Sequence, residues 1–235
     1  MRALPGRESR TSLTDEPAAI TRDAVPDEQR RRIIRATGEL VAKRGYGDTS
    51  VELIVKRAHV AFKTFYNHFG NKEEAFIALF DSVMDETRGR IEAALTEHAA
   101  ALWPQQVAAA VREMFAVILS DPIIARAVIV EAPTVGPAMT PRYQAAASAL
   151  SPLLRRGREY DARAAELPKT FEDTLAGGVL WSAYQRLIVG EVERIEELMP
   201  EAIVFVLRPY IGEGEAARWA EWSQGKTTVP ASGKR

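Results

Sequence analysis

The passage from Ile54 to His68, Ile-Val-Lys-Arg-Ala-His-Val-Ala-Phe-Lys-Thr-Phe-Tyr-Asn-His, constrains the fold of this chain more than any other. Its pattern predicts two short helices joined by a tight turn. Thr49 or Ser50 can cap the first helix, and Glu52 lies three residues after Thr49, as a capping box requires. Val51, Ile54, Val55 and Ala58 recur at helical spacing and make one apolar face, with Lys56 and Arg57 on the other side. Ala58 is small enough for the two helices to approach closely, and Val60 supplies a buried plug. The second helix starts at Phe62 and stops at Phe69-Gly70. Phe65 and Phe69 are four apart and pack inward, which leaves Lys63, Tyr66 and Asn67 pointing elsewhere. A short helix that is held at an angle to its neighbour and carries cations, amides and a phenol is built to meet phosphates and base edges in a DNA groove.

The segment from Ile34 to about Phe76 resembles the DNA-binding end of the TetR family of bacterial regulators. The resemblance rests on Gly45-Tyr46, Thr49-Ser50-Val51, Ala58-His59-Val60, Thr64-Phe65-Tyr66, His68-Phe69 and Lys72-Glu73-Glu74, in that order. It departs from the family at Ala61, where a serine usually caps the recognition helix; losing such a cap typically costs about 1 kcal/mol. The resemblance implies a homodimer that binds a near-palindromic double-stranded DNA operator as a repressor and is released by a small molecule. Lys63 is the first choice for a base contact, since an ammonium can donate to guanine O6 or N7. Phe62 can meet a thymine methyl, and Asn67 a base or a phosphate. Thr64, Tyr66 and Lys72 resemble family positions that grip the DNA backbone; Tyr46 and Thr49 are further candidates, and His68 lies in the same helix.

Charge supports a DNA-binding head. Residues 26–73 hold ten Lys/Arg against six Asp/Glu, and residues 74–235 hold seventeen against twenty-two. A chain with a net charge of −1 therefore joins a basic head to an acidic body, and phosphate attraction needs only the local charge. There are no cysteines, so disulfides and thiolate metal sites are excluded, as suits a cytoplasmic protein. No apolar run reaches the roughly 18 residues of a membrane span; Arg126 interrupts the longest candidate stretch. The start of the chain is polar, lacks the apolar core of a signal peptide, and reads as an arm over residues 1–25 in which Arg2, Arg7 and Arg10 could touch DNA.

The remaining chain reads as helix, giving an all-α fold. A head over residues 26–73 precedes a ligand-binding and dimerisation body over 74–223 and a tail over 224–235. The first helix spans about Asp27 to Arg44. Asn71, with Glu74 three residues on, caps a long helix that runs to about Ala99 and links head to body. Trp103-Pro104, Asp121-Pro122 and Thr140-Pro141 each open a further helix. Glu131 to Pro137 reads as a loop, and Pro152 as a possible kink. The segments from Thr170 to about Gly190 and from about Ile195 to Ile211 are apolar around much of their circumference; Pro200 and Pro209 predict that the second is kinked or broken. In the TetR-like reading these last two long helices, about residues 170–211, pair with those of a second copy. The family's pocket among the middle helices makes Phe80, Trp103, Met114, Phe115, Trp181 and Tyr184 candidate walls, for a largely apolar effector.

Enzyme chemistry finds no support in the sequence. His59, His68 and His98 lack metal-ligand spacing, and no catalytic residues, metal or cofactor are implied. Gly225-Lys226-Thr227 resembles the end of a phosphate-binding loop, but Ala220 stands where the leading glycine belongs. Glu193, Glu196 and Glu197 read as a solvated helix face. Two alternatives stay open from sequence: a ligand-independent DNA binder or activator, and a helical small-molecule-binding or enzymatic module with a vestigial head.

Overall fold

The computed structural model describes residues 24–160, 164, 166–191 and 194–228. The expected arm with Arg2, Arg7 and Arg10 and most of the expected tail lie outside them, as does Glu193. Twelve α-helices and two short non-α turns make up the described fold. In chain order these are α1 (Ala24–Arg44), α2 (Val51–Ala58), α3 (Phe62–His68), α4 (Lys72–Glu97), α5 (Trp103–Ser120) and α6 (Pro122–Arg126). A π-helical turn (Ala127–Glu131) leads into α7 (Ala132–Val135), α8 (Thr140–Ala147) and α9 (Ser151–Arg155). A 3-10 turn (Arg156–Glu159) follows, then α10 (Phe171–Val189), α11 (Ile195–Ile211) and α12 (Glu213–Ser223).

Two hydrophobic clusters divide the molecule. The first joins Ile33, Val41, Ile54, Phe65 and Phe76 of the head to Ile124, Val128 and Val135 from α6 to α7. The second, in the body, gathers Val111 and Phe115 of α5, Leu154 of α9, Val179 and Leu187 of α10, Ile203 and Leu207 of α11, and Trp219 of α12. The helix α4 links them, contributing Ala75, Phe76, Leu79 and Phe80 to the head cluster while Ile91 and Leu95 pack on the body cluster. A Cβ on Gly38 of α1 would lie 2.5 Å from Ile124 and 2.9 Å from Leu79, so α1, α4 and α6 meet where only hydrogen fits.

Three expectations are corrected. Glu131 to Pro137 is not a loop: the π-helical turn and α7 occupy most of it, with Pro133 near the start of α7, where its missing N–H leaves no bond unmade. Pro152 is not a kink in the helix that opens at Thr140: that helix ends at Ala147, and Pro152 lies at the start of α9. The last long helix is not broken, since α11 is continuous through Pro200 and Pro209. Burial of Ile195, Leu198, Ile203, Val206, Leu207 and Tyr210 along one side outweighs the two backbone bonds those prolines remove.

The base of the body is pinned by one buried ion pair. The Glu172 carboxylate, with a fully buried side chain, accepts from Arg158 Nε at 2.7 Å, from a terminal guanidinium nitrogen of Arg158 at 3.0 Å and from the Tyr210 hydroxyl at 3.2 Å. Arg158 also donates to the carbonyls of Leu167 and Pro168, which fastens the chain entering α10. Burial works to raise the Glu172 carboxyl, but the Arg158 and Tyr210 hydrogen bonds outweigh it and hold the group below the usual carboxylate range. Burial, with the neighbouring carboxylate, pushes the Tyr210 phenol well up.

Candidate nucleic-acid interface and effector cavity

The short helix α3 is seated by one face. Phe65 is completely buried, packing edge-on against Tyr66 at 5.4 Å and tilted against Phe69 at 5.9 Å. Its other side is open: Phe62 is 50% and Tyr66 56% exposed, and Lys63 and Asn67 are exposed beside them. Thr64 and His68 lie half-buried on its flanks. Arg30 of α1 lies over the Phe69 ring at 5.4 Å, so a guanidinium stands beside the end of α3.

The turn before α3 is made by His59, the one non-glycine residue with positive φ (52°) among the described residues. There the Val60 N–H returns to the Val55 carbonyl at 3.1 Å, closing α2. Ser50, not Thr49, caps the start of α2, its hydroxyl accepting from the Leu53 N–H at 3.3 Å. Ala61 offers no side-chain cap to α3, whereas Asn71 caps α4 through the Glu74 N–H at 2.9 Å.

Tyr46, Thr49 and Lys72 come together around the α1–α2 turn. The Lys72 ammonium donates to the carbonyls of Tyr46 (2.9 Å), Thr49 (2.8 Å) and Gly47 (3.4 Å) and lies 4.3 Å from the Tyr46 ring centre. Thr49 is buried, with its hydroxyl donating to the Gly45 carbonyl. The Tyr46 N–H donates to the Glu131 carboxylate at 3.2 Å. One short turn of the head is thus held by the first residue of α4 from one side and by the end of the π-helical turn from the other. Glu131 was missed from sequence because it stood in a presumed loop.

Beneath the head, a cavity of about 570 Å³ opens between α4, α5, α6, the π-helical turn, α8 and α10. That size falls in the range of small-molecule sites. Of the six aromatic and methionine candidates, Phe80 and Met114 line it. The structure places the other four elsewhere. Trp103 is buried, its indole donating to the Leu153 carbonyl at 2.8 Å, and Phe115 is enclosed in the body core. Trp181 is 56% exposed and stacks flat on Tyr184 at 5.2 Å on α10. Large aromatics at helical spacing here mark core and outer face. The small and aliphatic positions, among them Ile129, Leu150, Ala176 and Val179, make the cavity wall instead. On α4, Phe80, Val83, Met84, Thr87 and Ile91 face the cavity; their three- and four-residue spacing was the available sequence signal.

An apolar strip is exposed on the last helices: Trp181, Ile188 and Val189 of α10, and Phe205 of α11. Gly178 of α10 lies under Phe205, where a Cβ would come within 3.0 Å of the ring. At the end of α10, Arg126 donates both to the Ala42 carbonyl of α1 at 3.1 Å and to the Leu187 carbonyl of α10 at 2.7 Å. Among the described residues, no group of three or more His, Asp or Glu could hold a metal ion, and no helix is long and apolar enough to cross a membrane.

Comparison with known proteins agrees with this geometry. Residues 33–79 match the family described as bacterial regulatory proteins, tetR family. Over 90 residues, 38% of its length, the chain is 34% identical to the fatty acid metabolism regulator protein of Bacillus subtilis (strain 168). The match spans 45% of that relative, so less than half of it is covered. In fold, the chain is similar to a gamma-butyrolactone receptor (ArpA-like protein), with a TM-score of 0.67 and 18% identity over 86% of this chain and 100% of the other. It is also similar to the fatty acid degradation regulator FadR from Bacillus halodurans, with a TM-score of 0.63 and 22% identity over 74% and 94%. The head, over residues 33–79, is thus that of the tetR family of bacterial regulatory proteins, and the all-helical body has the fold of these solved structures.

Proposed function

We propose that this protein is a transcriptional regulator that binds a two-fold symmetric operator as a homodimer and acts as a repressor released by a small, largely apolar effector. The carrying observation is the division of α3 into a buried side anchored by Phe65 and an open side that presents Phe62, Lys63, Tyr66 and Asn67. Seated in the major groove, Lys63 donates to a guanine edge, Phe62 meets a thymine methyl, and Asn67 reaches a base or phosphate. Tyr66 and Thr64 grip the DNA backbone, with His68 beside them. Tyr46, Thr49 and Lys72 act chiefly by shaping the α1–α2 turn, because their polar groups are engaged within the head.

The dimer forms through α10 and α11, supported by the exposed strip of Trp181, Ile188, Val189 and Phe205. Phe80 and Met114 belong to the effector site, and Trp181 and Tyr184 to the dimer face. The printed function of the B. subtilis relative, fatty acid metabolism, supports an effector with an apolar chain. Effector binding favours a state in which α4 has shifted and the two heads no longer fit one operator. A coupling of about 1–3 kcal/mol lowers DNA affinity about 5- to 150-fold.

Selection of bound duplexes from random DNA, at stated salt, tests this reading. A recovered motif with two-fold symmetry is expected, and K63A together with Y66A should abolish its binding while folding and dimerisation persist. An enriched motif that the double variant still binds would remove α3 as the reading helix. No enriched motif would favour a helical ligand-binding module.

A further inference from the structure

Resting on the cavity's role as the effector site, we infer that the effector carries a hydrogen-bond-donating head, an O–H or N–H group without negative charge, on its apolar body. The polar groups on the cavity lining are mostly acceptors. Four carboxylates and two guanidiniums, Arg88 and Arg142, lie on the lining; Asp81, Glu86 and Asp121 are paired with Arg142, Arg90 and Arg35, which leaves Glu92 as the carboxylate outside any of these pairs. Both guanidiniums are already held: Arg142 Nε by Asp81 at 3.1 Å, with a further bond to the Ala138 carbonyl, and Arg88 by Asp85 at 3.0 Å. The two lining hydroxyls have also committed their protons. Thr87 donates to the Val83 carbonyl at 2.7 Å and Ser120 to the Val117 carbonyl at 2.8 Å, which leaves only lone pairs to offer a guest. Glu92 takes part in no ion pair among the described residues.

An acidic head would have to draw an arginine from its carboxylate and sit among the remaining ones. A head with only acceptor atoms would leave its own polar group and the cavity's lone pairs unmatched, and that mismatch is the strongest kind of discrimination a polar site exerts. A donor meets Thr87, Ser120 or Glu92 without breaking anything.

The test is calorimetric titration of the full chain with four ten-carbon probes: 1-decanol, decylamine, methyl decanoate and decanoate. The alcohol and the amine separate a neutral donor from a charged one, and the ester separates donation from mere neutrality. We expect at least one donor probe to bind at least about tenfold more tightly than the ester and the acid, with competition between donors for one site. In Glu92→Lys, an exposed change outside the core, decanoate should gain at least about fivefold. The ester or the acid binding as tightly as the better donor would overturn the inference while leaving the cavity as an effector site. Binding of none of the four would remove the cavity as a site for an apolar effector, and the inference with it.

Discussion

His59 stands in left-handed backbone at the turn between α2 and α3, a conformation that costs an L-residue roughly 1 kcal/mol or more and glycine nothing. Replacing it with glycine should stabilise the protein by about 0.5–1 kcal/mol in urea unfolding, less than the full strain because glycine also loosens the unfolded chain. Ala61, two residues on, begins α3 without a side-chain cap, and Ala61→Ser should add about 1 kcal/mol. If the uncapped start frays in the free protein, that substitution will also slow amide exchange at Lys63 and Thr64, which hydrogen-exchange spectra can read. The exposure of Phe62, Lys63, Tyr66 and Asn67 on α3 was legible at this scale because burial of Phe65 and Phe69 fixes where the intervening side chains point. The bonds that Lys72 and Thr49 make within the head were not. A lysine and a threonine in a basic head suit phosphates equally well, and only the folded turn reveals three carbonyls converging on the ammonium.

Among the elements, α4 reaches from the head along the wall of the cavity. Its first residue, Lys72, anchors the α1–α2 turn, and the stretch from Phe80 to Glu92 lines the cavity. The π-helical turn matches it from the other side, with Ile129 on the cavity and Glu131 on the Tyr46 N–H. Lys72→Met and Glu131→Ala should each speed exchange of amides in residues 45–50 and weaken operator binding about 5- to 100-fold, with α3 itself intact. Unchanged exchange in that turn would mean that the clamp contributes nothing.

At the other end of the body, the Arg158–Glu172–Tyr210 cluster carries a pH signature. Since the folded carboxyl titrates below its unfolded counterpart, its stabilisation is present above the unfolded value of about 4.3 and fades as pH falls through the lower folded value. Glu172→Gln should therefore lower stability at neutral pH and flatten the acid limb of the stability curve, measured by thermal unfolding between about pH 3 and 7. The helices that contain these parts were legible from apolar spacing and caps. The breaks after Ala147 and the continuity of α11 were not, because both depend on tertiary burial that propensity does not encode.

Seen whole, the molecule joins a basic head to an acidic body through a dense junction, where Gly38, Ile124 and Leu79 close to contact. The all-helical fold class followed from the helix-turn-helix pattern and from the apolar spacing of the segments after it. The cavity wall did not, since alanines, valines and isoleucines that merely look like core surround it, while the conspicuous tryptophans went to the core and the outer face. The exposed strip on α10 and α11 should make the proposed dimer concentration-sensitive: Trp181→Glu is expected to leave only monomer in sedimentation and to reduce operator affinity by more than tenfold.

Arg126 has a metrological consequence. By gripping Ala42 of α1 and Leu187 of α10 with one rigid guanidinium, it ties the head to the helix proposed above as the dimer face. A dimer assembled on that helix is then a caliper whose jaw opening this side chain helps to fix. Loosening the fixing with Arg126→Gln should cost little in stability yet blunt the gauge: operators lengthened or shortened by one base pair, rejected by the native protein, would be bound nearly as well as the original.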